Sequence, residues 1–358
     1  MASPDGELLG MAVAPTPGWP ERPPSLTDIG PAIAAAVADA EAMAGARHSR
    51  RVWVALSGSA ARPSAGETVV RIGPQQRCVT RSDLEKAAAA LAASGRLTMH
   101  RILASATLDG AETLEDPVGR MAGLLEARLL LLESDAKRRE EMLHTLAAAG
   151  LEAQGFVAGA LALESVLTPA EMEIGTVAVD LGAAHTSLTV YARGAPRYVS
   201  IVPIGGTHVT RDLAIVLGLP VNKAEAEKIE AAGTDLLASE SVSGRVITAR
   251  LCEILELCRT ELERAGWARR IPGGFVLSGG GASPMGLINL AENTFGAPVR
   301  LGLPQLSQVQ GMVARPGYAV ALGLAAAVRR HVSKVNFGSL PKEVGRWRLR
   351  SPQRSLPA

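Results

Sequence analysis

The segment VAVDLGAAHTSLTVYARGAPRYVSIVPIGG, residues 177–206, carries the reading of this chain. An apolar run delivers Asp180 at its end, Gly182 permits a tight turn, and a second run of apolar and β-branched residues starts at once. Strands are predicted over 176–179, 188–191 and 197–202. Such a hairpin brings backbone amides and one carboxylate to a phosphate or its magnesium ion, because amides gathered in a turn form an anion nest and hard cations take oxygen ligands. Taken alone, the segment reads as readily as an ordinary hairpin whose aspartate favours the turn.

A second pattern, GFVLSGGGASPMGLINLAENTFGAPVRLGLP over 274–304, places a strand, the glycines Gly279, Gly280 and Gly281, and a helix in succession. The helix is expected to start near Pro284, with its N-terminus toward a ligand that the glycines let approach. On its own a glycine run after a strand is as often a structural turn. Between the two patterns, KAEAEKIEAAG sets Glu225 and Lys228 three apart on one helical face, where both reach a ribose or adenine edge or simply form a solvated ion pair.

Working outward, 28–45 has helical spacing with an acidic start and Gly45 as a stop, and it leads to a strand at 52–56. A short strand is expected at 8–13. Residues 62–133 change texture, because Pro63, Gly66, Gly73, Pro74, Gly110, Pro117, Gly119 and Gly123 break them into short pieces. Thr80 and Asp83 form a capping box for a helix over 84–93, and short strands follow at 99–106 and 124–132. After Ser134 the α/β pattern returns with a helix at 135–149, a strand at 153–157 and an Ala/Leu-rich helix ending near Leu167. Helices are predicted at 207–217, 223–232, 246–265 and 317–331, with a buried strand at 275–277. The middle section reads as an α+β insertion in an α/β frame.

Composition excludes several function classes. The 358 residues are 47% hydrophobic, enough for two or three folded domains. With 20% charged residues, a net charge of +2, and only four Phe, three Tyr and four Trp, neither a basic nucleic-acid surface nor a stacking platform for bases is available. No nucleic-acid partner is expected. Cys78, Cys252 and Cys258 are too few and scattered for a disulfide framework or a zinc site, which fits a reducing compartment. The start, MASPDGELLG, lacks the basic and apolar regions of a signal peptide, and no stretch is apolar enough to span a bilayer. Basic charge gathers at the end: from Arg329 onward eight Lys and Arg residues face Glu343 alone.

In order and spacing, the D-x-G hairpin, the Gly205-Gly206 turn, the A-E-x-x-K helix and the SGGGA turn follow the actin-like ATPase superfamily. More specifically the chain resembles FtsA, the actin-like protein of bacterial cell division. The resemblance runs through AIAAAVADAEAMAG and VWVALSG (32–58), DPVGRMAGLLEARLLLL (116–132), VLTPAEMEIGTVAVDLG (166–182), VPIGGTHVTRDLA (202–214), VLSGGGASPMGL (276–287) and PVRLGLP (298–304). It implies an α/β, two-lobed actin-like (RNase H-like) fold with an inserted small α+β domain. The implied division is 1–61 first lobe, 62–133 insertion, 134–204 first lobe continued with the second phosphate turn, 205–312 second lobe, 313–333 closing helix and 334–358 basic tail. It also implies ATP with magnesium. Asp180 (also the metal ligand) and Gly182 match the second phosphate turn, Gly205 and Gly206 the next turn, Glu225 and Lys228 the ribose and adenine side, and Gly279, Gly280 and Gly281 the adenosine motif.

Two departures lead to an expectation of weak or absent ATP hydrolysis. The first strand and D-x-G-[TS] phosphate turn usual in the family are not found, either by genuine loss or because translation starts further upstream. The usual D-x-G-G-G-T-x-D appears as Asp180-Leu181-Gly182-Ala183-Ala184-His185-Thr186-Ser187, so two glycines have gained Cβ atoms, a histidine stands at the hydroxyl position and a serine replaces an acid. His185 is expected to be structural more readily than phosphate-binding. The region 233–246 is shorter than usual and lacks a G-x-P-P-R stretch.

The resemblance further implies self-association into filaments, partnership with the FtsZ C-terminal peptide and other divisome proteins, and a peripheral position on the cytoplasmic side of the inner membrane at the septum. In VGRWRLR (344–350), Trp347 and Leu349 stand among Arg346, Arg348 and Arg350, as a contact with an anionic membrane surface needs; a solvated tail reads equally well. The alternatives are a pilus-assembly actin-like adaptor and a phosphotransferase of the same superfamily.

Overall fold

A computed structural model of the chain describes residues 8–21, 25–45, 50–91, 97–113, 116–304 and 315–333. The chain enters along helix α1 (Leu26–Ala44), whose Ser25 and Asp28 form a reciprocal capping box and whose end is released by Gly45 at φ +69°. The strand expected at 8–13 is not formed. Leu8 makes an isolated bridge, and the segment packs instead on α1, so close that a methyl group on Gly10 would run into the Ala40 carbonyl.

Strand β1 (Arg51–Leu56) leads to a 3-10 turn at Gly58–Ala60 and the inserted unit. That unit comprises β2 (Arg62–Arg71), β3 (Arg77–Cys78), α2 (Arg81–Ala90), β4 (Leu97–Leu108), β5 (Ala111–Thr113), β6 (Met121–Ala122) and β7 (Leu124–Ser134). Thr80 and Asp83 cap α2 as predicted, and Asp83, nearly fully buried, also receives a forked pair of hydrogen bonds from Arg77 at 2.8 and 2.9 Å. The pieces expected between the prolines and glycines prove to be long. β2, β7, β4 and β5 form one sheet in that order, and β2 pairs with β7 through all ten of its residues. β2 tolerates Pro63 because it is an edge strand, and Gly66 leaves room for the Leu91 side chain.

The chain then returns through α3 (Ala136–Ala148), capped by Asp135, to β8 (Glu152–Ala158), which pairs in parallel with β1. The expected Ala/Leu helix is short: α4 (Gly159–Ala162) passes into a 3-10 turn at Leu163–Val166, followed by α5 (Pro169–Ile174) behind a Thr168–Glu171 capping box. Next come β9 (Thr176–Leu181), β10 (Thr186–Ala192), β11 (Ala195–Val202), α6 (Gly206–Leu217), α7 (Val221–Ala231) and α8 (Val242–Arg264). β12 (Phe275–Ser278), α9 (Leu287–Phe295), β13 (Val299–Leu301) and α10 (Ala319–Ser333) complete the described chain.

The second sheet has the order β11-β10-β9-β12-β13, with β11, β10 and β9 antiparallel and β9, β12 and β13 parallel. It modifies the expected division at 204/205. Strands at 176–202 are hydrogen-bonded to strands at 275–301, so the hairpin assigned to the first lobe is part of the second sheet. A boundary there would sever that sheet's backbone ladder. One face of the sheet buries Val179, Leu181, Leu188, Val190 and Leu277 against α6, α8 and α9, with Leu213, Leu255 and Leu287 in the same core. The opposite face, with Ala178, Tyr191 and Val276, packs on Leu163, Val166 and Ala319. Tyr191 donates from its hydroxyl to the Leu161 carbonyl (3.1 Å) and Thr189 to the Ala160 carbonyl (3.0 Å), tying this face to the segment that follows β8.

Candidate functional site

Alternation along a strand sends successive side chains to opposite faces, and the register of β9 and β10 then fixes what the hairpin presents. Asp180 lies opposite Ser187, and Gly182 donates its amide to the His185 carbonyl (3.1 Å). Asp180, His185 and Ser187 therefore share the face that Thr189 and Tyr191 dock onto α4, at the end where that docking gives way to the two turns. Among the described residues, none gives a hydrogen bond or ion pair to the side chain of Asp180, His185 or Ser187. Desolvation pushes the Asp180 carboxyl up to about 6 and lowers the imidazole of His185 below its ordinary value.

The turn after β12 closes over this carboxylate. Ser278 is aligned with Asp180 across the parallel ladder, and Gly279, at φ +86°, is so close that a Cβ there would fall 2.5 Å from the Leu181 carbonyl oxygen and collide with Asp180 Oδ1. A Cβ on Gly281 would stand 2.9 Å from the same carbonyl, whereas one on Gly280 would meet nothing within 4 Å. The structure thus brings Asp180, Gly279 and Gly281 together, nearly a hundred residues apart in sequence. The helix after the glycines begins at Leu287 rather than near Pro284, because Gly286 takes a left-handed conformation just before it. Its N-terminus lies three residues further along the chain than expected.

Gly205 and Gly206 clasp the β9–β10 turn from the other side. Gly206 donates its amide to the Gly182 carbonyl (2.9 Å), and Thr207 gives both its amide and its hydroxyl to the Ala183 carbonyl (2.8 Å each). Two of the first amides of α6 are therefore bound to protein, and the nest that a helix start offers an anion is partly closed. Lys228 Nζ contacts Glu225 (2.6 Å), Thr210 Oγ1 (3.0 Å) and the Gly206 carbonyl (3.4 Å), while the Thr210 hydroxyl also bonds to Glu225. Glu225 and Lys228 form a half-buried pair fastened to the glycine turn, not the free surface pair that their spacing also allowed.

Sequence reasoning missed Gly58 and Thr210. Gly58, in the turn after β1, is buried at φ +58°, and the His185 ring lies against it, with Nδ1, Cε1 and Cγ 2.7, 2.8 and 3.3 Å from where a Cβ would be. The signal was an S-G-S run directly after an apolar strand. The predicted tail residues Trp347, Leu349, Arg346, Arg348 and Arg350 lie outside the described residues. No described helix is long and apolar enough to cross a membrane, and no cluster of three or more His, Cys, Asp or Glu among the described residues could hold a metal by itself. For a magnesium ion arriving with phosphates, Asp180 is a chemical fit: a hard oxygen donor, desolvated and without a protein partner, beside a turn with open space at Gly280.

A five-stranded sheet with two antiparallel and two parallel pairings, joined by a docked face to a second α/β unit that carries an α+β insertion, defines the class: an actin-like fold. The PilM-PilN type IV pilus biogenesis complex contains a chain that superposes with TM-score 0.62 at 20% identity, covering 86% of this chain and 89% of that one. A family model described as Cell division protein FtsA matches residues 177–323. Cell division protein FtsA of Pseudomonas aeruginosa is 30% identical over 320 residues, spanning 82% of this chain and 76% of that protein. The Escherichia coli K12 protein of the same name is 28% identical over 391 aligned positions, spanning 96% of this chain and 92% of that protein. The chain belongs to the FtsA family of cell-division proteins.

Proposed function

We propose that this chain is a division scaffold that assembles with itself and links FtsZ filaments to the cytoplasmic face of the inner membrane, with a nucleotide as a clamp and not as fuel. The observation that supports the clamp is Asp180. A part-buried carboxylate without a protein partner holds its charge at a cost, and a magnesium ion carried in by ATP would relieve that cost where the turns after β9 and β12 meet. A ligand held from both turns favours the state in which both reach it, and hence a form competent to polymerise.

In this reading Asp180 meets the metal, Gly279, Gly280 and Gly281 take the adenosine side, and Lys228 and Glu225 stand beyond the Gly205-Gly206 turn. Turnover is slow, because Ala183 and Ala184 crowd the turn that would hold the phosphates and Ser187 replaces an acid. The basic segment around Trp347 supplies the membrane contact. The shortened stretch at 233–246 belongs to the subdomain that receives the FtsZ peptide.

Reconstitution tests the reading. Fluorescent FtsZ filaments should be recruited to supported bilayers containing anionic lipid when the full chain and ATP·Mg are present, and should stay in solution with a chain ending at Arg330. Recruitment by both chains removes the tail as the anchor. Recruitment by neither, with no retention on an immobilised FtsZ tail peptide, overturns the scaffold and leaves the pilus-type adaptor to be tested against its own partners.

A further inference from the structure

The hairpin face holds an imidazole that the clamp does not use. His185 immediately precedes β10, on the face of Asp180 and Ser187, with no described residue hydrogen-bonded to its ring. Nδ1, Cε1 and Cγ of the ring lie 2.7, 2.8 and 3.3 Å from where a Cβ on Gly58 would be, so the ring rests on that glycine by its face and Nε2 stays at the rim. The imidazole is half-buried and its nitrogens have no described protein partner, which leaves them to solvent or to a ligand. Packing alone would be served as well by leucine.

The neighbouring turn explains what the ring is for. Ala183 and Ala184 are exposed and carry methyl groups, and the carbonyls of Gly182 and Ala183 are bound to Gly206 and Thr207. Cβ atoms at 183 and 184 limit how closely an anion can come to the backbone of the turn. We propose that His185 Nε2 is the donor that contacts the phosphate chain of a bound nucleotide, in place of the backbone amides and hydroxyl that a glycine-rich turn would have offered. The inference rests on the nucleotide clamp proposed above. The role is one of binding: Nε2–H donates to a phosphate oxygen, and no bond is made or broken.

Gly58 has a part in this. At φ +58° with the ring against it, it admits His185 only because it has no Cβ. The contact holds the ring in one orientation, so the donor is presented without first being ordered.

Two variants of similar volume separate a ligand contact from a packing role. His185→Gln keeps a donor close to the position of Nε2, and His185→Leu fills the same space without one. Calorimetry with ATP·Mg is performed on the full chain and both variants, each shown by thermal melting to be folded. The expected result is affinity about tenfold lower for His185→Leu and within about threefold of the parent for His185→Gln, the size of one charge-assisted or neutral hydrogen bond. Equal affinities for the two variants, whether both high or both low, overturn the proposal and leave His185 as a spacer between the sheets. Should the parent chain itself bind no ATP·Mg, the clamp fails first and this contact with it. A variant that melts out is replaced by Gly58→Ala, which must displace the ring; unchanged affinity there also overturns the proposal.

Discussion

The two turns that meet at Asp180 follow neighbouring parallel strands at the same end of one sheet, yet they have been treated differently. After β12 the glycines are demanded by the protein: Gly279 lies on Asp180 and Leu181 at positive φ, and Gly281 lies on the Leu181 carbonyl. After β9 the corresponding positions hold Ala183 and Ala184, both exposed, and the turn is closed by the amides of Gly206 and Thr207. The backbone crossing at β9 and β12 requires glycine at 279 and 281. The exposed positions have no such constraint, so the fold accepts alanine at 183 and 184.

The largest expected effect breaks that framework. Gly279→Ala adds a methyl group to a left-handed residue and drives it into a carboxylate and a backbone carbonyl, neither of which is the free end of a flexible chain. A loss of about 3 kcal/mol is expected from strain and overpacking together. The urea midpoint of the variant measures it, and a loss below about 1 kcal/mol would mean that the two turns are not packed as described.

Next in size is the carboxylate underneath. Asp180 has a folded-state value of about 6, above its ordinary 3.8, so the folded chain holds a proton there that the unfolded chain has already released. Stability should therefore rise as the pH falls from about 6 toward 4 and be lowest where the group is fully ionised. Asp180→Asn removes that slope and should stabilise the apo chain by about 2 kcal/mol at pH 7, while abolishing the dependence of ATP affinity on magnesium. The difference between the two urea-midpoint profiles at pH 5 and pH 7 isolates this group. Parallel profiles would show that Asp180 is hydrated like any surface acid.

How far the sequence alone led depends on the kind of signal. The β9–β10 hairpin was legible because a run of buried strand residues ends in D-x-G, and α1, α2 and α3 because their caps and glycine stops are local. β2 was not, since RPSAGETVVR has the proline and glycine of a loop. It extends as an edge strand against the apolar β7, and that pairing is written in β7. The meeting of Asp180 with Gly279 followed from order and resemblance, whereas the seat of His185 on Gly58 depends on how the two sheets dock. The S-G-S run marks Gly58 as a turn but does not say which side chain rests on it.

A smaller effect is expected from restoring the altered turn. Ala183→Gly with Ala184→Gly should cost about 1 kcal/mol, chiefly through the greater freedom of the unfolded chain, because neither alanine has a positive φ or a buried methyl. In return, backbone approach becomes possible, and affinity for ATP·Mg should rise several-fold. If stability falls and affinity does not change, the methyl groups are not what limits the turn, and the limit lies in the Gly206 and Thr207 amides already committed to the Gly182 and Ala183 carbonyls.

The smallest effect falls between two glycines that matter. Gly280 is exposed, has no positive φ, and a Cβ there would meet no protein atom within 4 Å. Gly280→Ala should leave stability within about 0.5 kcal/mol of the parent, since neither strain nor overpacking acts on it. The fold therefore gives no reason for a glycine at this position, and the reason has to lie in what approaches it. A weakening of ATP·Mg binding by about twofold to fivefold in a variant with unchanged melting would place the ligand on the Gly280 side of the turn. Unchanged binding would reduce the three glycines to two structural ones and an indifferent one, and move the adenosine side elsewhere along the face that Asp180 shares with His185.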